Sequence, residues 1–123
     1  MSQRARGVET WAALVANGRR GLQELIERCC ALAGRFADAL GAARAEILAP
    51  VLLNQVLVRF DDDVTTDAVI AALQAGGRCW AGGTAWQGRR AMRLSVCDAA
   101  ITEADVDAAV AEILRCRRRL GRA

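Results

Sequence analysis

The side chains best suited to hold a ligand lie within "RCWAGGTAWQGRRAMRLSV", Arg78 to Val96. Arg93 is central in an otherwise apolar, alternating run, and a guanidinium fork matches a carboxylate or phosphate through two contacts. Upstream, Gly82 and Gly83 let backbone approach a ligand closely, with Thr84 beside them. Each feature has a plainer explanation. An arginine in such a strand must find a partner if it is buried, and an aspartate of the same chain would serve. Paired glycines suit a hairpin-like connection with no ligand at all, and Trp80 and Trp86 suit packing as well as stacking.

Most other chemistry is excluded by composition. The chain contains no histidine, lysine or tyrosine. Without histidine there is no serine or cysteine dyad of the usual kind, and without lysine no imine can form on a side chain. "AGGTAWQG" lacks the lysine–serine pair and the following helix of a phosphate loop. Asp61, Asp62 and Asp63 could approach a divalent cation, but they precede a helix start, where the helix dipole already favours carboxylates. Cys29 and Cys30 are adjacent, so on a helix they point roughly 100° apart and cannot grip one ion. With no CxxC pair and five cysteines in all, the expectation is free thiols in the cytoplasm and no metal site. No catalytic residue is assigned.

The elements that must position these residues follow from periodicity. At 123 residues the chain is one domain with room for a core. Residues 1–7 carry no periodic signal and read as a disordered leader, with a single α+β domain over 8–120. "VETWAALVANG" predicts a short helix ending at Gly18. The next helix carries an apolar stripe at Leu22, Leu25, Ile26, Cys29, Leu32, Ala33, Phe36 and Leu40, in steps of three and four. "AEILAP" predicts a short extended piece. "NQVLVRF" is a clear strand, with Val56, Val58 and Phe60 on one face and Gln55, Leu57 and Arg59 on the other. "DDDVTTDAVIAALQAGG" predicts a helix begun by its acidic residues and Thr65 or Thr66. "RCWAG" and "RAMRLSV" predict two strands around the glycine loop. "TEADVDAAVAEILRCRRRL" predicts a last helix, capped by Thr102 and Asp105, with Val106, Ala109, Val110, Ile113 and Leu120 buried.

This order predicts an α+β two-layer sandwich, a mostly antiparallel sheet with helices on one face. Arg59, Arg93, Ser95 and Gln55 would then share the other face with Leu57 and Cys97. The net charge of +3 comes from arginine alone. Arg115, Arg117, Arg118, Arg119 and Arg122 cluster where a helix C-terminus favours cations. No aromatics interleave them, so no nucleic-acid partner is expected, and no stretch is long enough to imply a membrane partner.

Four stretches together carry a family resemblance: "RGVETWAALVANGRRGLQELIERCCALAGRFADAL", "LNQVLVRF", "CWAGGTAWQGRRAMRLSV" and "TEADVDAAVAEIL". In order and spacing, from Arg6 to Leu114, they resemble the C-terminal part of group II pyridoxal-phosphate-dependent amino-acid decarboxylases. These are the relatives of aromatic-amino-acid, glutamate and cysteine-sulfinate decarboxylases. The resemblance implies the small domain of a fold type I enzyme, homodimers, and a coenzyme held by a lysine and a stacked histidine in a large domain preceding residue 1. It implies that Arg93 contacts a substrate carboxylate and that Gly82, Gly83 and Thr84 form a loop lining the site. The pattern departs after the last strand. A serine–asparagine–aromatic stretch is expected there, and Cys97, Asp98 and Ala99 stand in its place, with Ile101 where a threonine would be.

The expectation is therefore a C-terminal fragment or split subunit of such a carboxy-lyase. It would form one wall of an active site and be inactive alone, for want of the lysine that binds pyridoxal phosphate. Its partner would be a large pyridoxal-phosphate-binding domain or subunit, and its uncovered apolar face would favour self-association. The alternative readings are a non-catalytic interaction module and a small-molecule-sensing module.

Overall fold

The alternation in "NQVLVRF" and "RAMRLSV" forms the centre of an antiparallel sheet. In the computed structural model, which describes residues 5–121, the chain runs α1 (Arg6–Ala42), β1 (Glu46–Ile47), β2 (Gln55–Arg59) and α2 (Asp63–Gly76). It continues through β3 (Gly82–Trp86), β4 (Arg89–Ser95) and α3 (Glu103–Leu120). The strands lie in the order β1-β2-β4-β3, every pair antiparallel. Val56, Val58, Phe60, Met92, Leu94 and Val96 leave the sheet on one side. They meet Leu32, Phe36 and Leu40 of α1, Val69 and Leu73 of α2, and Val106 and Ile113 of α3 in one buried core. The architecture is the expected α+β sandwich, with its helices on one face.

The helix ends follow local chemistry. Asp62, one of the acidic residues expected at this helix start, caps α2 by accepting the Thr65 N–H at 2.7 Å. Thr102 and Asp105 form the expected capping box on α3. Gly77 closes α2 with a left-handed φ of 67°, the conformation that glycine adopts without strain. At Gly18 (φ 62°, ψ −175°) α1 kinks, so its two halves meet at an angle.

Several expectations need correction. Residues 1–4 of the expected leader lie outside the described residues, and from Arg6 the chain is already helical. The apolar stripe of α1 is buried only from Cys29 onward. Leu25 packs at the edge of the core, while Leu22 and Ile26 are exposed. On α3, Leu120 is exposed and Cys116 takes its place in the core. The arginine cluster is not simply solvated. Arg115 pairs with Glu112, while Arg117 binds Asp61 at 2.9 Å and lies over the Phe60 ring. Arg122 lies outside the described residues.

The largest shift concerns the glycines. Residues 78–81 form no strand, and Gly82, Gly83 and Thr84 belong to edge strand β3 rather than to a loop. The connection to β4 is only Gln87-Gly88, with φ of 49° and 77°. Two consecutive left-handed residues match the twist of a tight hairpin. The guanidinium of Arg90 crosses over Gly83: a Cβ there would stand 2.8 Å from Nη2 of Arg90, and the flexible arginine tip would have to shift.

Candidate functional site

Pairing register decides what the uncovered side of the sheet presents. Glu46 lies opposite Arg59, Leu57 opposite Arg93, and Arg93 opposite Gly82. The open face therefore carries Glu46, Arg59, Gln55 and Leu57, then Arg93 and Ser95, then Gly82, Thr84 and Trp86. Four arginines leave β2 and β4, and three of them are neutralised within the chain. Arg59 binds Asp63 at 2.8 Å and the Asp61 carbonyl at 2.7 Å. Arg89 holds both oxygens of Glu46 in a fork. Arg90 crosses the glycine gap on the helical side to Asp67 of α2 at 2.6 Å.

Arg93 is different. It is exposed, and its side chain makes no hydrogen bond or ion pair with any described residue. The intramolecular aspartate partner considered from sequence is absent among the described residues. Glu46, Asp63 and Asp67 are each paired with another arginine, Arg89, Arg59 and Arg90. Gly82 leaves space beside it, since a Cβ there would stand 4.0 Å from Arg93 Nη2. Thr84 lies opposite Ala91, two residues from Arg93 along β4.

Along the same face runs an apolar groove of about 540 Å³, lined chiefly by Pro50, Leu52, Leu53, Gln55, Leu57 and Trp86. Leu52 is 84% exposed and Trp86 40%. Arg93 does not line it, but it is the partner of Leu57, which does, across the β2–β4 ladder. An unpaired guanidinium beside open apolar surface can bind an organic anion, the charge held by the fork and the carbon skeleton by the groove.

Sequence reasoning missed a second cleft, of about 460 Å³, between α3 and the irregular segment after α2. Phe36, Arg78, Cys79, Trp80, Asp105 and Glu112 border it. Glu112 is buried at 5% exposure, and its bond from Arg115 holds its carboxyl below the ordinary range. Burial, and secondarily the Glu112 charge, pushes the Cys79 thiol above its ordinary value, so the nucleophilic thiolate is disfavoured. A buried glutamate in an arginine-rich helix gives no periodic signal, which is why the cleft was not legible.

Neither site contains a poised acid or base. The carboxylates of Glu46, Asp63 and Asp107 are held below the ordinary range, chiefly by hydrogen bonds from arginines. Asp61, Asp62 and Asp63 are each engaged separately, with Arg117, the α2 N-terminus and Arg59. Among the described residues no group of three histidine, cysteine or acidic side chains is gathered as a metal set. No described helix is long and apolar enough to cross a membrane.

No protein-family model matches the sequence, and no curated protein matches it. Solved structures do. Oryza sativa TDC, bound to PLP and tryptamine, superposes with a TM-score of 0.84 at 23% identity. Catharanthus roseus tryptophan decarboxylase in complex with L-tryptophan gives 0.82 at 24%. Mouse CSAD in apo form gives 0.81 at 16%. The domain has a group II decarboxylase fold. Between 93% and 94% of this chain is matched, against 26% to 28% of those chains. The chain thus spans about a quarter of the length of the proteins it resembles in fold. The resemblance read from its four sequence stretches holds at the level of the fold.

Proposed function

We propose that this domain is the C-terminal segment, or a separately made subunit, of a pyridoxal-phosphate-dependent amino-acid decarboxylase. It forms one wall of the active site and does not catalyse alone. The observation that carries this reading is the fold shared with decarboxylases over only about a quarter of their length. The chain's own donors do not fit the coenzyme. There is no amine side chain to form the covalent link, and the neighbouring arginines Arg59 and Arg89 are already paired with Asp63 and Glu46. No chemical step is therefore assigned to these residues. The part of Arg93 is to bind and orient a substrate carboxylate, with Gly82, Gly83 and Thr84 shaping the strand beside it. On this reading the protein works in the cytoplasm, where its five cysteines remain thiols.

The test has two arms. The purified chain, mixed with pyridoxal phosphate and an amino acid, is expected to release no carbon dioxide. Borohydride reduction should leave no pyridoxyl group on any side chain. Co-expressed with a lysine-bearing large domain, it is expected to form a stable complex with decarboxylase activity. In that complex Arg93→Gln should raise KM for the amino acid by about 10-fold or more, as expected for a lost charge-assisted contact of ~1.5–3 kcal/mol. Turnover by the chain alone, or an Arg93→Gln complex with unchanged KM, would overturn the reading.

A further inference from the structure

We propose that the cleft between α3 and residues 78–80 binds a small aromatic carboxylate, its charge on Arg78 and its ring against Trp80. Arg93 does not line this cleft, and no residue is shared with the groove beside Leu57. The inference is therefore independent of the decarboxylase reading. On α3 the wall is Asp105, Ala108, Ala109 and Glu112, spaced as one helical face. The two central positions are alanines, whose short side chains leave the room. Phe36 and Leu94, both buried in the core, form an apolar base. Trp80 lines the cleft while remaining 74% exposed. The volume, about 460 Å³, falls within the range of small-molecule sites.

The charges decide what the cleft takes. Arg78 is exposed, and its side chain makes no hydrogen bond or ion pair with any described residue. Glu112, the buried carboxylate of the cleft, accepts from Arg115 at both oxygens, from Nε at 2.8 Å and from Nη2. Arg78 acts on it only through its field, as a minor cause of the lowered carboxyl. Asp105 is held by the N–H and hydroxyl of Thr102 at 2.8 and 2.6 Å, in the first turn of α3, where the helix dipole favours its charge. Burial raises the Cys79 thiol, so it stays neutral and adds no competing anion. The unneutralised charge is thus the Arg78 guanidinium, which holds a carboxylate through two parallel contacts. Beside it, the open indole of Trp80 offers its face to a planar ring. A cationic ligand of the same shape would meet Arg78 with like charge.

Titration of the full chain with phenylacetate, followed through the indole N–H signals of its three tryptophans in NMR spectra, tests the site. The Trp80 signal, assigned by its absence from Trp80→Phe, is expected to shift saturably while those of Trp11 and Trp86 stay in place. Benzylamine, with the same ring and the opposite charge, should bind at least ~10-fold more weakly. Arg78→Gln should weaken phenylacetate binding by about 10-fold or more, the loss expected of one charge-assisted contact. Ala108→Leu should weaken it as well, by filling the cleft without altering any charge. Both positions are exposed, so neither variant should change the melting temperature. Arg93→Gln should bind phenylacetate like the parent. No saturable shift at Trp80, equal binding of benzylamine, or unchanged binding by Arg78→Gln would each overturn the proposal. So would a shift at Trp86 that disappears in Arg93→Gln, which would assign the carboxylate to the open sheet face and leave the decarboxylase reading standing.

Discussion

Thr66 shows how much one hydroxyl can do in a small core. It is fully buried, accepts the Phe60 N–H at 3.1 Å, and has the Phe60 and Asp62 carbonyls within reach at 3.0 and 2.8 Å. It thereby ties the end of β2 to the start of α2. Thr66→Val conserves shape but leaves the Phe60 N–H unpaired in the core. The expected loss is about 1–3 kcal/mol of unfolding free energy, read from the midpoint of a denaturant titration; an unchanged midpoint would disprove the link. Arg93 predicts the opposite behaviour. Its side chain has no partner among the described residues, so Arg93→Ala should leave the melting temperature of the isolated domain unchanged, whereas a measurable loss would reveal a contact the structure lacks. The strand position of Arg93 was legible from alternation alone. Its freedom was not, because alternation places a side chain on a face and does not say which carboxylates the fold brings to that face.

At the scale of elements, the hairpin between β3 and β4 is the point where the sequence was hardest to read. Glycine is depleted in strands, so "GGTAW" reads as a loop. Its strand character comes from five residues pairing with the strongly patterned β4. The true turn is Gln87-Gly88, and both residues are left-handed. Gln87→Asn should therefore stabilise the domain by a few tenths of a kcal/mol, since asparagine tolerates that region best after glycine. Gly88→Ala should destabilise it by about 1 kcal/mol. Thermal melts of the pair would check both signs, and a stabilising Gly88→Ala would contradict the turn geometry. For α1, the periodic stripe was read correctly as one apolar face. Periodicity cannot say where the covering layer stops, and here the first buried residue is Cys29.

For the whole molecule, the absence of histidine and the use of arginine as sole cation set the pH response. Ion pairs join elements distant in sequence: Glu46 of β1 with Arg89 of β4, and Asp107 of α3 with Arg35 of α1. Hydrogen bonds from these arginines are the main reason that the two carboxyl groups are held below their ordinary values. A carboxyl whose value is lowered on folding binds protons more readily in the unfolded chain. Its contribution is therefore complete above the ordinary carboxylate range and is lost as pH falls through the lowered value. On the alkaline side Cys79 acts in reverse. Its thiol is raised by burial, so the unfolded chain releases that proton first and stability declines above the ordinary value of 9.0. Between these limits no side chain at an ordinary value titrates. The melting temperature is expected to be flat from about pH 5 to 8 and to fall below about pH 4, where the arginines lose their opposing charges. The fall should be smaller in Glu46→Gln, which has already lost one of the linked groups. A steep change between pH 5 and 7 in a melting series would require a titrating group at neutral pH, and would contradict the ion-pair scheme that leaves Arg93 alone uncompensated on the open face.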